Sequence, residues 1–410
     1  MTTTRTSIAR RRFLQATAAA TGVLAAQGSN LGSGVAGATA RALTPLGGPP
    51  GKLVQVFLRG GQDGLSTVVP YTEAAYYTAR PTISVPPAAV LDLDGRFGLH
   101  PALPKLHALY QQERLAVVVG VGHPSGERSH FAAQDLWEYG SFAIPDDRNG
   151  WLGRYLAATS AADESLFRGL TLGNNVNLSL RGFPALGIAA IERFGLGGIT
   201  GATADLETLL RLAYVGASRI ETTGILALDA ANQVSAVQGS TDPNPVTQAF
   251  ADTARLLDSD LGVEVVTANI GGWDTHAGMG THTEGEMRTL LAGLDDALGD
   301  FQADLDARGR TDVTTVVLTE FGRRVAENGA GGTEHGSAMV MLVLGDHVRG
   351  GQVHGTWAGL APSTIGARGD VVVTTDFRDV LGDLAVGVLG VDDPGTLFPD
   401  HTYTPFGITV

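Results

Sequence analysis

Residues 115–140 read LAVVVGVGHPSGERSHFAAQDLWEYG. The first eight are almost unbroken apolar, and half of them are valine. The last dozen carry apolar residues at helical steps, and a polar, glycine-containing loop joins the two. A strand that is apolar at nearly every position is covered on both faces, which marks a parallel sheet sandwiched between helices. Ser129 stands directly ahead of the helical run, where a hydroxyl caps the first free N–H groups. The stretch is therefore a strand–loop–helix unit, and its loop holds His123, Arg128, Ser129 and His130.

The same pattern recurs along the chain. KLVQVFL (52–58), VEVVTANIGG (263–272), VTTVVLTEFG (313–322) and MVMLVLG (339–345) read as further buried strands. Between them, HPALPKLHALYQQER (100–114), PVTQAFADTARLLDSD (245–260) and residues 283–309 read as helices. In the last, Met287, Leu290, Leu291, Leu294, Leu298, Phe301 and Leu305 follow steps of three and four. Strands alternating with helices predict an α/β class, a layered α/β/α fold on a mostly parallel central sheet. Residues 52–410 are read as one domain. Within it, 160–245 is rich in Gly, Thr and Asn, shows no convincing run of strands, and reads as an insertion or cap.

Composition narrows the function. The 410 residues are 43% hydrophobic and 17% charged, a globular balance with ample material for a core. A net charge of −14 argues against nucleic acid or an anionic membrane surface as partner. The absence of cysteine excludes thiol nucleophiles, thiolate metal sites and disulfides. RGGQDG (59–64) lacks the spacing of a dinucleotide loop, and no glycine loop leads into Lys-Ser/Thr.

The first forty residues read as an address. RRRFL (10–14), a short run of small and apolar residues, and Ala38-Thr39-Ala40 as a cleavage site make a secretory signal that resembles the twin-arginine type. Residues 41–51 read as a linker. No segment reaches the ~18 continuous apolar residues of a membrane span. The expected location is periplasmic or extracellular.

In an open α/β sheet, ligands gather where loops leave the carboxyl ends of the strands. Arg59 and Asp63 follow the first strand, Asp274 and His276 the third, and Glu320 and Arg323 the fourth. Glu334 and His335 precede the fifth, and Asp346, His347 and His354 follow it. Each has an ordinary reading beside the functional one. Asp63 between glycines suits a turn, Ser129 suits a cap, and Glu320 with Arg323 suits an ion pair. Asp274 and His276, two apart, point to the same side of an extended segment, which suits ligation of one cation.

Taken in order, FLRGGQDGL, ERSHFAAQDLWE, GGWDTHAG, TEFGR and GGTEHGSA resemble a family of exported bacterial proteins, the domain of unknown function numbered fifteen-oh-one. The likeness runs from about Lys52 to the C-terminus and is weakest over 160–245. That family is similar in fold to the alkaline phosphatase and sulfatase superfamily. The resemblance implies metal ligands at Asp63, Asp274, His276, Glu320 and His335 and a nucleophile at Ser129. In a hydrolase, Arg128 or Arg323 would offset charge on the equatorial oxygens, and His276 or His335, if not a ligand, would protonate the leaving group. The resemblance also implies one divalent ion (Zn, Mn, Ca or Mg). Phe321 stands where the superfamily has a histidine, which removes a ligand from a second ion. Two functions follow: a metal-dependent hydrolase of small phosphate or sulfate esters, or a non-catalytic exported protein that keeps a degenerate site and binds a partner.

Overall fold

Lys52–Leu58, read above as a buried strand, runs through the middle of a nine-stranded sheet in the computed structural model, which describes residues 51–160, 165–195 and 203–410. The expected export signal and all but one residue of the linker lie outside the described residues. In chain order the described strands are β1 Lys52–Leu58, β2 Val68–Val69, β3 Leu91–Asp92, β4 Gly98–Leu99, β5 Leu115–Gly122, β6 Gly169–Leu172, β7 Leu186–Ile188, β8 Val265–Ile270, β9 Val313–Leu318, β10 Arg323–Glu327, β11 Thr333–His335, β12 Met339–Leu344, β13 Gln352–His354 and β14 Thr375–Asp376. The main sheet runs β13-β5-β12-β9-β1-β8-β6-β7, with β14 also paired to β5. Every pairing in it is parallel except those of β12, which runs against both neighbours.

The strands are apolar throughout because both sheet faces are covered. Val54, Val56 and Leu58 of β1 enter one core with Leu291, Leu294 and Leu298 of the helix Glu286–Ala307. Leu53 and Phe57 enter the other, with Trp151, Tyr155, Phe377 and Leu381 from helices Trp151–Ala158 and Phe377–Gly387. Gln55, the polar interruption of β1, is buried but satisfied, accepting from Trp151 Nε1 at 3.0 Å and donating to Ser179 Oγ at 3.3 Å. The result is the expected mixed α/β architecture with a mostly parallel central sheet.

Two expectations change. The segment 160–245 is not wholly an insertion: β6 and β7 extend the main sheet beyond β8, and the helix Arg219–Ser235 enters the core on one face of that sheet through Ala230 and Val234. Because β12 is antiparallel, His335 ahead of it lies at the carboxyl ends of β1, β5, β8 and β9, while Asp346 behind it lies at the opposite end, paired with Arg114 at 2.7 Å. Among the described residues no helix is long and apolar enough to cross a membrane.

Candidate functional site

The loops that leave β5, β8 and β9 meet the segment that enters β12, and four side chains converge there. Asp274 Oδ1 lies 3.3 Å from His130 Nε2, 3.0 Å from His276 Nε2 and 3.3 Å from His335 Nε2. The Nε2 atoms of His276 and His335 are 2.9 Å apart. His130, Asp274 and His335 form a group able to hold a metal ion, their ligand atoms all within 4.8 Å of one another.

Each imidazole turns its other nitrogen to an oxygen. His130 Nδ1 meets Glu320 Oε1 at 2.6 Å, His335 Nδ1 meets the Arg128 carbonyl at 2.9 Å, and His276 Nδ1 faces Glu334 Oε2 at 3.3 Å. Carbonyls and carboxylates only accept, so the proton of each neutral ring sits on Nδ1 and the Nε2 lone pairs point inward. His130 Nε2 is buried and has no hydrogen-bond partner. Burial also lowers the pKa of His335 from its ordinary value, which favours the neutral, ligating form.

Arg323 locks the carboxylate. Its guanidinium donates to Asp274 Oδ1 at 2.7 Å, to the carbonyls of Thr333 at 2.9 Å and Trp273 at 3.2 Å, and to those of Gly60 and Gly61. Burial opposes the charge on Asp274, but the hydrogen bond and charge of Arg323 lead the pull that holds the carboxyl down at about 2. The two glycines are needed for the approach. A Cβ on Gly60, at φ +125°, would sit 2.5 Å from the Asp274 amide, and one on Gly61, at φ +65°, would sit 2.5 Å from the Phe321 ring.

The residues expected to act together do so only in part. Asp274, His276 and His335 are in the cluster. Glu320 stands behind it, fully buried, with both oxygens engaged by His130, Gln134, Thr319 and the Gly60 amide. It orients His130 rather than ligating. Asp63 is removed altogether: it is buried, paired with Arg80 at 2.9 Å, bonded to Thr333 Oγ1 at 3.0 Å, and caps the turn Gly64–Thr67. Arg323 has its donors committed to the backbone and Asp274, so it positions the carboxylate rather than meeting substrate oxygens. Ser129 occupies the N-cap position of the helix His130–Tyr139, yet its side chain makes no capping bond and is exposed. Arg128 pairs with Asp370 at 2.6 Å and donates to the His335 carbonyl at 3.2 Å.

The residue not picked out as a ligand in the sequence is His130. Its signal was present in ERSHFAAQ, one position after the candidate nucleophile, but a histidine opening a helix reads as ordinary. Phe321 also has a role: its ring packs against His130 and His335 with centroids 4.8 and 4.7 Å away. It is the apolar wall on which two imidazoles rest.

The donor set fits a divalent ion. The imidazole nitrogens of His130 and His335 and the Asp274 carboxylate, with His276 Nε2 beside them, suit Zn or Mn, whereas Ca and Mg take mostly oxygen ligands. The spacings of 2.9–3.3 Å among Asp274, His276 and His335, and between Asp274 and His130, suit donors sharing one ion. The oxygen contacts behind each ring are the supports that such ligands carry.

No curated protein matches the chain. Solved structures give similarities at low identity. A protein in the alkaline phosphatase superfamily from Vibrio parahaemolyticus is 13% identical, with 86% of this chain and 70% of that one covered and a TM-score of 0.40. The phosphonate monoester hydrolase of Agrobacterium radiobacter is 10% identical, with 82% and 73% covered and a TM-score of 0.40. The C-terminal periplasmic domain of EcEptC from Escherichia coli, in complex with Zn, is 11% identical, with 88% and 92% covered and a TM-score of 0.36. At these values the similarities carry no statement about this chain's activity. The match that does identify it is to the family model described as protein of unknown function (DUF1501), which spans residues 51–379, and the chain belongs to that family.

Proposed function

We propose that the protein is an exported hydrolase of phosphate or sulfate monoesters built around one divalent ion. The observation that carries this reading is the convergence of His130, His276 and His335 Nε2 on Asp274, with an oxygen behind each ring and the His130 nitrogen buried without a partner. Bound there, Zn or Mn would act as a Lewis acid on an ester oxygen. The protein's own part is to aim three lone pairs at one point and to hold Asp274 ionised through Arg323.

Ser129 is the candidate nucleophile. It stands next to His130, its hydroxyl is exposed and not spent on the helix, and the helix N-terminus favours negative charge beside it. Attack by Oγ on phosphorus or sulfur displaces the alcohol and leaves a serine ester, which water hydrolyses in a second step. Export rests on the sequence of residues 10–40 alone.

The test is metal analysis of the purified full chain, followed by assay of aryl phosphates and sulfates with added Zn or Mn. One bound ion and turnover lost in both Ser129→Ala and Asp274→Ala are expected. Turnover that survives Asp274→Ala would sink the mechanism.

A non-catalytic, partner-binding role is the second reading. It draws on the exposed apolar side chains Leu209, Leu212, Val215 and Ile220 around the turn between the helices Thr203–Ala213 and Arg219–Ser235. That reading expects no ester turnover and co-purification of a partner lost in Leu212→Glu.

A further inference from the structure

Beside the cluster, on the far side of Arg128, lies a cleft of about 330 Å³ between the loop after β5 and residues 366–373. His123, Ser125, Arg128, Ser337, Arg368 and Asp370 line it with glycine and apolar residues. The cleft and the cluster share a wall. The Arg128 carbonyl accepts from His335 Nδ1 at 2.9 Å, the Arg128 guanidinium donates to the His335 carbonyl at 3.2 Å, and Ser129 and His130 follow Arg128 in the chain.

The charges of this wall do not cancel. Asp370 is buried, and its carboxylate takes Arg128 Nη2 at 2.6 Å, so one negative charge is offset by one positive. Ser337 Oγ also accepts from Arg128 at 3.3 Å, and Arg128 Nε has no partner. His123 is held neutral by geometry: Nδ1 accepts from the Ser125 amide at 3.1 Å, and Nε2 donates to the Ser141 carbonyl at 2.9 Å. Ser125 Oγ adds a hydroxyl 2.6 Å from His123 Nδ1. Arg368 is exposed and, among the described residues, makes no ion pair. Among the residues that line the cleft, Arg128 and Arg368 stand against Asp370 alone, the neighbouring Glu127 carboxylate being held by the Arg128 and Ser129 amides at 2.8 and 2.7 Å, and the cleft sits one residue from the candidate nucleophile.

We propose that this cleft binds a second anionic group of the substrate, so that the preferred ester carries a carboxylate, phosphate or sulfate on its alcohol side, as a bisphosphorylated or polysulfated sugar does. Arg368 is the specificity-determining residue, and Arg128 links the two subsites. The pairing of two anions on one molecule rests on the hydrolase reading above, whereas anion capture by the cleft does not.

Two matched pairs of probes separate the two ideas. Phenylphosphonate and 3-carboxyphenylphosphonate, which are not esters, report binding to the metal-loaded full chain by calorimetry. Phenyl phosphate and 3-carboxyphenyl phosphate report turnover. The carboxylated member of each pair is expected to bind or react about tenfold better. Arg368→Ala should erase that preference and leave the uncarboxylated member unchanged. A preference that is absent, or that survives Arg368→Ala, overturns the inference, as does failure of both phosphonates to bind. If no ester is turned over but the phosphonate preference depends on Arg368, the hydrolase reading falls and the anion site stands.

Discussion

His276 and His335 bring their Nε2 atoms to 2.9 Å, while their Nδ1 atoms face Glu334 and the Arg128 carbonyl. Two neutral rings so oriented point lone pairs at each other and at the Asp274 carboxylate. That arrangement repels itself unless a proton or a cation lies between the nitrogens. Arg323 donates to Asp274 Oδ1 at 2.7 Å and brings Nη1 to 3.5 Å from His276 Nε2, but among the described residues it makes no hydrogen bond to His130 or His335. A divalent ion relieves the repulsion at all three rings together.

The ion should therefore stabilise the fold. Loading with Zn or Mn at about a hundredfold excess over Kd is expected to add about 2.7 kcal/mol. The check is thermal unfolding with and without chelator. His335→Ala and His130→Ala should each abolish the difference, and an unchanged melting temperature in the wild type would count against the site.

Glu320 should behave as a support and not as a ligand. Glu320→Gln keeps the shape and weakens the hold on His130 Nδ1, so metal affinity should fall roughly 10–100-fold without loss of stoichiometry. Equilibrium dialysis distinguishes this from ligand removal, in which the ion no longer binds at one equivalent.

Asp63 makes the opposite case. With Arg80 it forms an ion pair with both side chains fully buried, and Arg80 also donates to the carbonyls of Val325 at 2.8 Å and Arg324 at 3.0 Å. Asp63→Asn leaves a buried guanidinium uncompensated and should cost about 3–5 kcal/mol by urea unfolding. Metal stoichiometry should not change. Burial pushes the Asp63 carboxyl up, but Arg80, the Ser66 amide and Thr333 pull it below its usual value. Its contribution is thus present above about pH 4 and lost as the pH falls through the folded value, so the acid limb should be shallower in Asp63→Asn.

What was legible in the sequence follows from these contrasts. The central strands were visible because burial on both faces demands apolar residues at every position. β6 and β7, of four and three residues, are too short to show a period, so their segment read as an insertion. Strand direction leaves no trace in hydropathy, and the antiparallel course of β12 was not readable. Polar residues at strand ends were legible as candidates, but Asp346 lies at the opposite end of the sheet, and which of the others face inward depends on neighbours far along the chain. Asp63 is taken by Arg80, and His130 is aimed by Glu320 across 190 positions.

Arg323 should tolerate no substitution. Arg323→Ala strands the buried carbonyls of Gly60, Gly61 and Thr333, and each unsatisfied group costs about 1–3 kcal/mol. Arg323→Lys supplies one point charge in place of a planar fork and should recover little. Chemical denaturation of both variants checks this, and a Lys variant of wild-type stability would show that charge alone is enough.

His100 gives the clearest pH dependence away from the cluster. It is buried, and its Nδ1 accepts the Ala102 amide at 3.0 Å, a bond that protonation there destroys. Burial, with smaller contributions from His282 and Arg288, lowers its pKa from 6.5 to about 4. The unfolded chain therefore binds the proton first. Stability conferred by the neutral ring is complete above pH 6.5 and declines as the pH falls toward 4, where the folded ring begins to titrate. The difference corresponds to about 3 kcal/mol at full extent. Urea unfolding between pH 7.5 and 4, in chelator so that metal release does not contribute, should show this loss in the wild type. His100→Gln retains an acceptor for Ala102 without a titrating group. Its profile should be flatter by about that amount over the same range, and parallel profiles would mean that His100 is already charged in the fold.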